Sequence, residues 1–321
     1  MAGWGPRHGA RRFAFRGGSG RLAGMSESTL VFDGHIHTHG KPGDPPEVFV
    51  EKAREAGVAG GTVFSVHPAK YRPFPGWDQR AKARIDAVLE FTSRAPGFLP
   101  YFFADLSEPD VLEQIEYARK GGIRGYKVIC DGAYAAGDHL EALAAMAETG
   151  LPVMFHSGVD NIPHISGANN RPAAFERLLN VRGLRFSLAH LGWPWCDEFI
   201  GTFAKFVFAG EMDGPGKHAD MYVDVTPGTP GLYRREAMRK LYLSGFDVRP
   251  RTFWGSDQVC NDYYPDWSRR MIARDAAILA EIESDAAAGA VGDVCWDPKP
   301  RCKDLAPALF ADVWREFNHE P

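Results

Sequence analysis

The chain has 321 residues, 45% of them hydrophobic, with a formal net charge of −4 and a pI near 6.3. That length and apolar content suit one large domain. The slightly acidic balance excludes a protein held on nucleic acid by a basic stripe, and no apolar run approaches the roughly 20 residues that span a bilayer. Five widely spaced cysteines (Cys130, Cys196, Cys260, Cys295, Cys302) include no Cys-x-x-Cys pair. Neither a disulfide framework nor a zinc ribbon is indicated, so a reducing cytoplasm and a small-molecule partner are the expectation.

Residues 1–28 read as a disordered Arg/Gly-rich extension: five arginines precede Glu27 with no acidic residue among them, and Arg16-Gly-Gly-Ser-Gly-Arg21 is too glycine-rich for a targeting helix. Initiation at Met25 is one reading of this segment. Residues 29–321 then alternate short β-rich runs with Ala/Glu/Leu-rich helical stretches, the pattern of parallel βα units. Strands are expected at 30–33, 61–66, 98–104, 123–129, 152–156, 185–190, 221–225 and 251–255. Helices are expected at 46–56, 79–93, 109–120, 139–149, 173–179, 197–209, 234–243 and 267–286. Eight strand-then-helix pairs in succession favour closure into a (β/α)8 barrel over a doubly wound sheet. A further helix at 303–317 is expected to pack on the outside. The long connection after the second strand, residues 67–77, holds three prolines and several aromatics, as functional loops often do.

The chemistry-bearing residues fall at strand ends. Asp33-Gly-His35-Ile-His37 follows the first strand, and alternation sends residues i and i+2 to one face, so both imidazoles can share a metal. A His-x-His pair alone says little, since about 0.4 are expected by chance in a chain with this many histidines. Its weight comes from His156 at the end of the fifth strand, His190 at the end of the sixth and Asp257 after the eighth, because the C-terminal rim of a barrel is where its active site is built. Asp33 reads equally as a residue that orients the loop or a histidine by hydrogen bonding and as a direct catalytic group. Aromatics and cations in the loops after strands two, six and eight, with His67, Arg72, Trp193 and Tyr264 as the substrate-binding candidates, suit a planar substrate carrying an anionic group.

On these residues the sequence resembles the amidohydrolase superfamily, and within it the amidohydrolase 2 branch of metal-dependent hydrolases and decarboxylases. The resemblance runs over about residues 29–318. It includes Gly122-Ile-Arg-Gly-Tyr-Lys127-Val, Arg171-Pro172, His190-Leu-Gly-Trp-Pro-Trp195, Met221-Tyr-Val-Asp-Val225 and Gly255-Ser-Asp257. It implies that His35, His37, His156 and Asp257 hold one divalent metal, zinc first among the candidates with manganese or iron also compatible. It further implies that Asp257 accepts the proton of an activated water and that His190 polarises the substrate carbonyl or acts as an acid. Lys127 implies either a substrate contact or, as a carboxylated lysine, a bridge to a second metal. The resulting expectation is a hydrolase of an amide, ester or lactone bond in a cyclic or aryl carboxylate-bearing substrate, working as a homo-oligomer. A metal-dependent non-oxidative decarboxylase is the alternative, and a metal-free lactonase or binding barrel a third reading.

Overall fold

The computed structural model describes residues 30–40, 42–130, 134–160, 167–289 and 301–320. The extension expected over residues 1–28 lies outside these. Nine parallel strands form one sheet: β1 (Val31–His37), β2 (Val58–Phe64), β3 (Phe98–Ala104), β4 (Gly125–Val128), β5 (Val153–Phe155), β6 (Arg185–Ala189), β7 (Asp220–Asp224), β8 (Thr252–Phe253) and β9 (Gln258–Val259). The order is β8-β7-β6-β5-β4-β3-β2-β1-β9. Because β8 pairs with β7 while β9, five residues on, pairs with β1, the two short pieces act as one interrupted eighth strand that closes the barrel. Backbone bonds from Gly34 N to the Trp254 carbonyl and from Asp257 N to the His35 carbonyl, both 3.0 Å, complete the seam.

The helices α1 (Pro46–Glu55), α2 (Ala81–Ser93), α3 (Val111–Gly121), α4 (Leu140–Glu148), α5 (Cys196–Asp213) and α6 (Gly231–Leu243) lie in connections between strands, and α7 (Pro265–Ala287) follows the last strand. The expected helix at 173–179 is a 3-10 run, Pro172–Leu178. In α3 the reason for the helix is legible: Val111, Gln114, Ile115 and Ala118 recur at i, i+3, i+4 and i+7 on the buried face, and Gly122 at φ 97° terminates it in the left-handed region. The main core lies between strands and helices.

The last helical segment corrects an expectation. Helix α8 (Leu305–Pro307) packs against α7, Leu305 N donating to Glu283, but α9 (Val313–Asn318), joined to it by a π-helical turn at Ala308–Asp312, leaves the outer ring. Val313, Trp314 and Phe317 form one buried cluster with the inward residues Phe64, Tyr101, Met154, Tyr222 and Phe253, and Trp314 stacks on Phe32 at 4.4 Å. Trp314 Nε1 donates to Thr62 Oγ1, and the Tyr101 hydroxyl donates to Asn318 Oδ1. The apolar stripe of this helix is aromatic and wide, and it fills the lower barrel, where strand side chains alone leave room.

Close approach of β1 and β2 depends on Gly61, where an added Cβ would stand 2.0 Å from the Asp33 carbonyl oxygen. Gly61→Ala is therefore expected to destabilise the protein by about 2–3 kcal/mol in denaturant titrations. Gly57→Ala, at φ 84° in open space, is expected to cost only about 1 kcal/mol.

Candidate metal centre

The C-terminal ends of the strands gather a set of polar side chains that are buried or only partly exposed. His35 and His37 both lie inside β1, and their Nε2 atoms are 3.2 Å apart. Asp257 sits in the interruption between β8 and β9 at φ 57°, a conformation that non-glycine residues rarely adopt. Its Oδ1 stands 3.5 Å from His35 Nε2 and 3.3 Å from His37 Nε2. Ligands held tetrahedrally about 2.0–2.1 Å from a zinc ion stand about 3.3–3.4 Å from one another. The triangle His35, His37, Asp257 thus has the edges of one face of such a polyhedron, and it is the group of potential ligands that the structure brings together among the described residues.

Two carboxylates hold the triangle. Asp224, fully buried at the end of β7, lies 2.5 Å from His35 Nδ1. With Nδ1–H donating to this carboxylate, Nε2 is left with its lone pair toward the triangle, the usual arrangement behind a metal-binding imidazole. Asp33, also fully buried, accepts from Ser256 N at 2.7 Å, from His35 N at 3.3 Å and from the Tyr263 hydroxyl at 3.0 Å. It ties β1 to the residue before Asp257, the orienting role its position suggested. Burial pushes Asp33 up to about 7, and Asp224 up to about 6 against the pull of His190 and Lys127.

His156 and His190 stand beside the triangle with ring centroids 4.9 Å apart, and His190 is 5.3 Å from His35. His156 is not within the three-residue group, and its buried Nε2 has no hydrogen-bond partner among the described residues. His190 adopts φ 63° and rests on Gly228, where any Cβ would meet the imidazole at 2.4 Å. Its Nδ1 is 3.0 Å from Thr226 Oγ1. Burial drives His35 and His156 well below the ordinary imidazole range and His190 down to about 4, so all three are neutral at pH 7, as ligation requires. Desolvation opposes ionisation of Asp257, but the hydrogen bond with His37 and the surrounding imidazoles outweigh it and hold its pKa below the usual carboxylate value. Lys127, fully buried in β4, points Nζ at the same centre, 3.3 Å from His35 Nε2. Burial lowers it to about 8, against the pull of Asp224 and Asp257.

The rim residues occupy different settings. His67 is half-buried against Phe74 at 5.0 Å, close enough to feel His37, and burial takes it down to about 4. Arg72 is exposed over the Phe74 ring. Trp193 is half-buried, 6.2 Å from Tyr233. Tyr264 is half-exposed, its hydroxyl donating to Asp262 and its backbone held by Gln258. Lys70, from the same loop as Arg72, is bound to the buried Asp105 at 2.6 Å. Sequence reasoning assigned no role to Asp224 or Thr226, although Asp224-Val-Thr226 repeats at β7 the i, i+2 spacing that singled out His35 and His37.

Asp224→Ala is expected to weaken zinc binding by about 10–100-fold in chelator competition, with His35 still present. For Asp33 the folded pKa is raised above the unfolded value, so its contribution to stability is full below about pH 4 and is lost as pH rises through about 7. In metal-free protein the melting temperature of Asp33→Asn relative to wild type is therefore expected to rise between pH 5 and pH 8; a pH-independent difference would contradict the raised pKa.

Residues 32–297 match the family model described as amidohydrolase. Among solved structures the chain is similar to an amidohydrolase from Burkholderia multivorans with bound HEPES, at TM-score 0.54 and 12% identity, covering 91% of this chain and 100% of the other. It is also similar to an amidohydrolase II, at TM-score 0.52 and 14% identity, covering 90% and 100%. At these identities the likeness shows the barrel fold. No curated protein matches the sequence.

Proposed function

Because this chain belongs to the amidohydrolase family, we propose that it is a metal-dependent hydrolase whose centre is the His35, His37, Asp257 triangle. The observation that carries the reading is the 3.2–3.5 Å triangle itself, backed by three neutral imidazoles and by the unpartnered Nε2 of His156. Zinc suits this donor set. A divalent metal held there supplies Lewis acidity, acidifying a water and polarising a carbonyl. The protein's own part follows from its geometry. Asp224 keeps His35 in the tautomer that presents Nε2. Asp257, with a side chain 34% exposed to the mouth, takes the proton from the attacking water and returns it to the leaving group. His190, neutral and hydrogen-bonded by Thr226, donates from Nε2–H to the substrate carbonyl oxygen, which favours a polarising role over that of an acid.

Placement of Lys127 favours a second ion beside the first. Its Nζ lies against His35 and its lowered pKa leaves a fraction uncharged near neutrality, the form that adds carbon dioxide to give a carbamate and a proton. His156, outside the triangle, would be the histidine that holds that ion, and His190 keeps its Nε2–H for the substrate carbonyl. Substrate selection falls to the mouth: His67, Trp193 and Tyr264 offer apolar faces and Arg72 a cation, which fits a small cyclic or aryl carboxylate bearing an amide, ester or lactone bond.

Metal analysis is expected to find one to two ions per chain, lost in His37→Ala, and a panel of amides, esters, lactones and aryl carboxylates is expected to show water-dependent cleavage. Carbon dioxide released from an aryl carboxylate without hydrolysis would overturn the hydrolase reading. Arg72→Ala is expected to raise KM for an anionic substrate about tenfold with kcat unchanged.

A further inference from the structure

Outside the barrel wall, behind the metal centre, lies an ion pair with no exposure at either side chain: Arg234 of α6 and Asp275 of α7. The guanidinium donates from Nε to Asp275 Oδ1 and from Nη2 to Oδ2, both at 2.7 Å. Its remaining donors go to two consecutive backbone carbonyls at the exit of β7, Nη2 to Val225 O and Nη1 to Thr226 O at 3.2 Å. Asp275 Oδ2 in turn accepts from Trp254 Nε1 at 3.1 Å, three residues before Asp257. The carbonyl of Trp254 receives the Gly34 N–H at the barrel seam.

We infer that Arg234 and Asp275 are positioning residues for the metal centre, setting the β7 exit so that Asp224 and Thr226 orient His35 and His190. The chain of contacts is short. Arg234 fixes the carbonyls of residues 225 and 226; Thr226 N donates to Asp224 Oδ1 at 3.0 Å, Asp224 Oδ2 holds His35 Nδ1, and Thr226 Oγ1 meets His190 Nδ1. Through Trp254 the same pair reaches the strand that carries Asp257. Fold stability alone does not call for such a pair, since well-packed apolar side chains commonly replace a buried ion pair without loss. What an apolar pair cannot provide is a rigid fork of N–H donors aimed at two successive carbonyls.

This inference rests on the metal reading above, and its test keeps the two separable. Zinc affinity by chelator competition, the visible spectrum of the cobalt-loaded protein, and the histidine 15N shifts of the metal-free protein are compared among wild type, Arg234→Lys and the apolar double variant Arg234→Met with Asp275→Leu. The double variant, which leaves Trp254 Nε1, Arg274 and the carbonyls of residues 225 and 226 without these partners, is expected to melt lower than wild type but to stay folded, and to bind zinc about tenfold or more weakly, with an altered cobalt spectrum and with mixed tautomers at His35 and His190. Arg234→Lys, which keeps the charge and loses the fork, is expected to show the same changes in smaller degree. Unchanged affinity, spectrum and tautomers in the variants that fold would overturn the inference. Collapse of both variants would overturn it too, by making the pair a stability element. Absence of zinc binding in wild type would sink the metal reading instead, and the 15N shifts would still decide whether the pair sets the tautomers.

Discussion

The seam between the first strand and the interrupted eighth determines both the cylinder and the chemistry at its mouth. Asp257 N donates to the carbonyl of His35, and this backbone bond, one of two that complete the seam, also ties together two of the three triangle residues. The approach is possible because Gly34 and Gly255 carry no side chain: a Cβ at Gly255 would stand 2.6 Å from that of His35. The left-handed turn at Asp257 then swings its carboxylate back over β1. Such strain persists where surrounding bonds over-determine it, and Asp33 supplies them by gripping Ser256 and Tyr263.

Charge is managed around the centre by an uneven distribution of partners. His35, His156 and His190 are kept neutral by burial, whereas the acids are treated individually. Asp224 is shared between His35 and the Thr226 N–H, Asp33 holds backbone and a phenol, and Asp257 alone is left partly open to the mouth. Lys127 is the one buried cation pointed at the triangle among the described residues, and Asp224 and Asp257 oppose the loss of its charge. Two carboxylates, neutral imidazoles and one ammonium with a lowered pKa make the centre suited to a positive ion.

Much of this was legible in the sequence, and the reasons for what was not are physical. Strand alternation and the βα rhythm carry local information, so eight strand positions and the shared face of His35 and His37 can be read directly. The closing role of residues 252–259 could not, because a strand split by a positive-φ aspartate has no periodic signature. Asp224 acts on a histidine 189 positions away, and its strand-end position and the Asp-x-Thr spacing mark it without saying which side chain it serves. The expected outer position of the last helix failed for a related reason. An amphipathic pattern says which face is apolar, and only the width of the barrel says that the lumen is where the face goes.

That last helix carries a consequence for how the protein is made. Phe32 and Trp314 are stacked in the finished lumen although nearly the whole chain separates them. During synthesis the inward aromatics of β1, β3 and β7 are in place long before residues 313–317 leave the ribosome. Until then the nascent barrel presents an open apolar well, a surface suited to chaperone capture, and final closure is a late, long-range event of the kind that folds slowly.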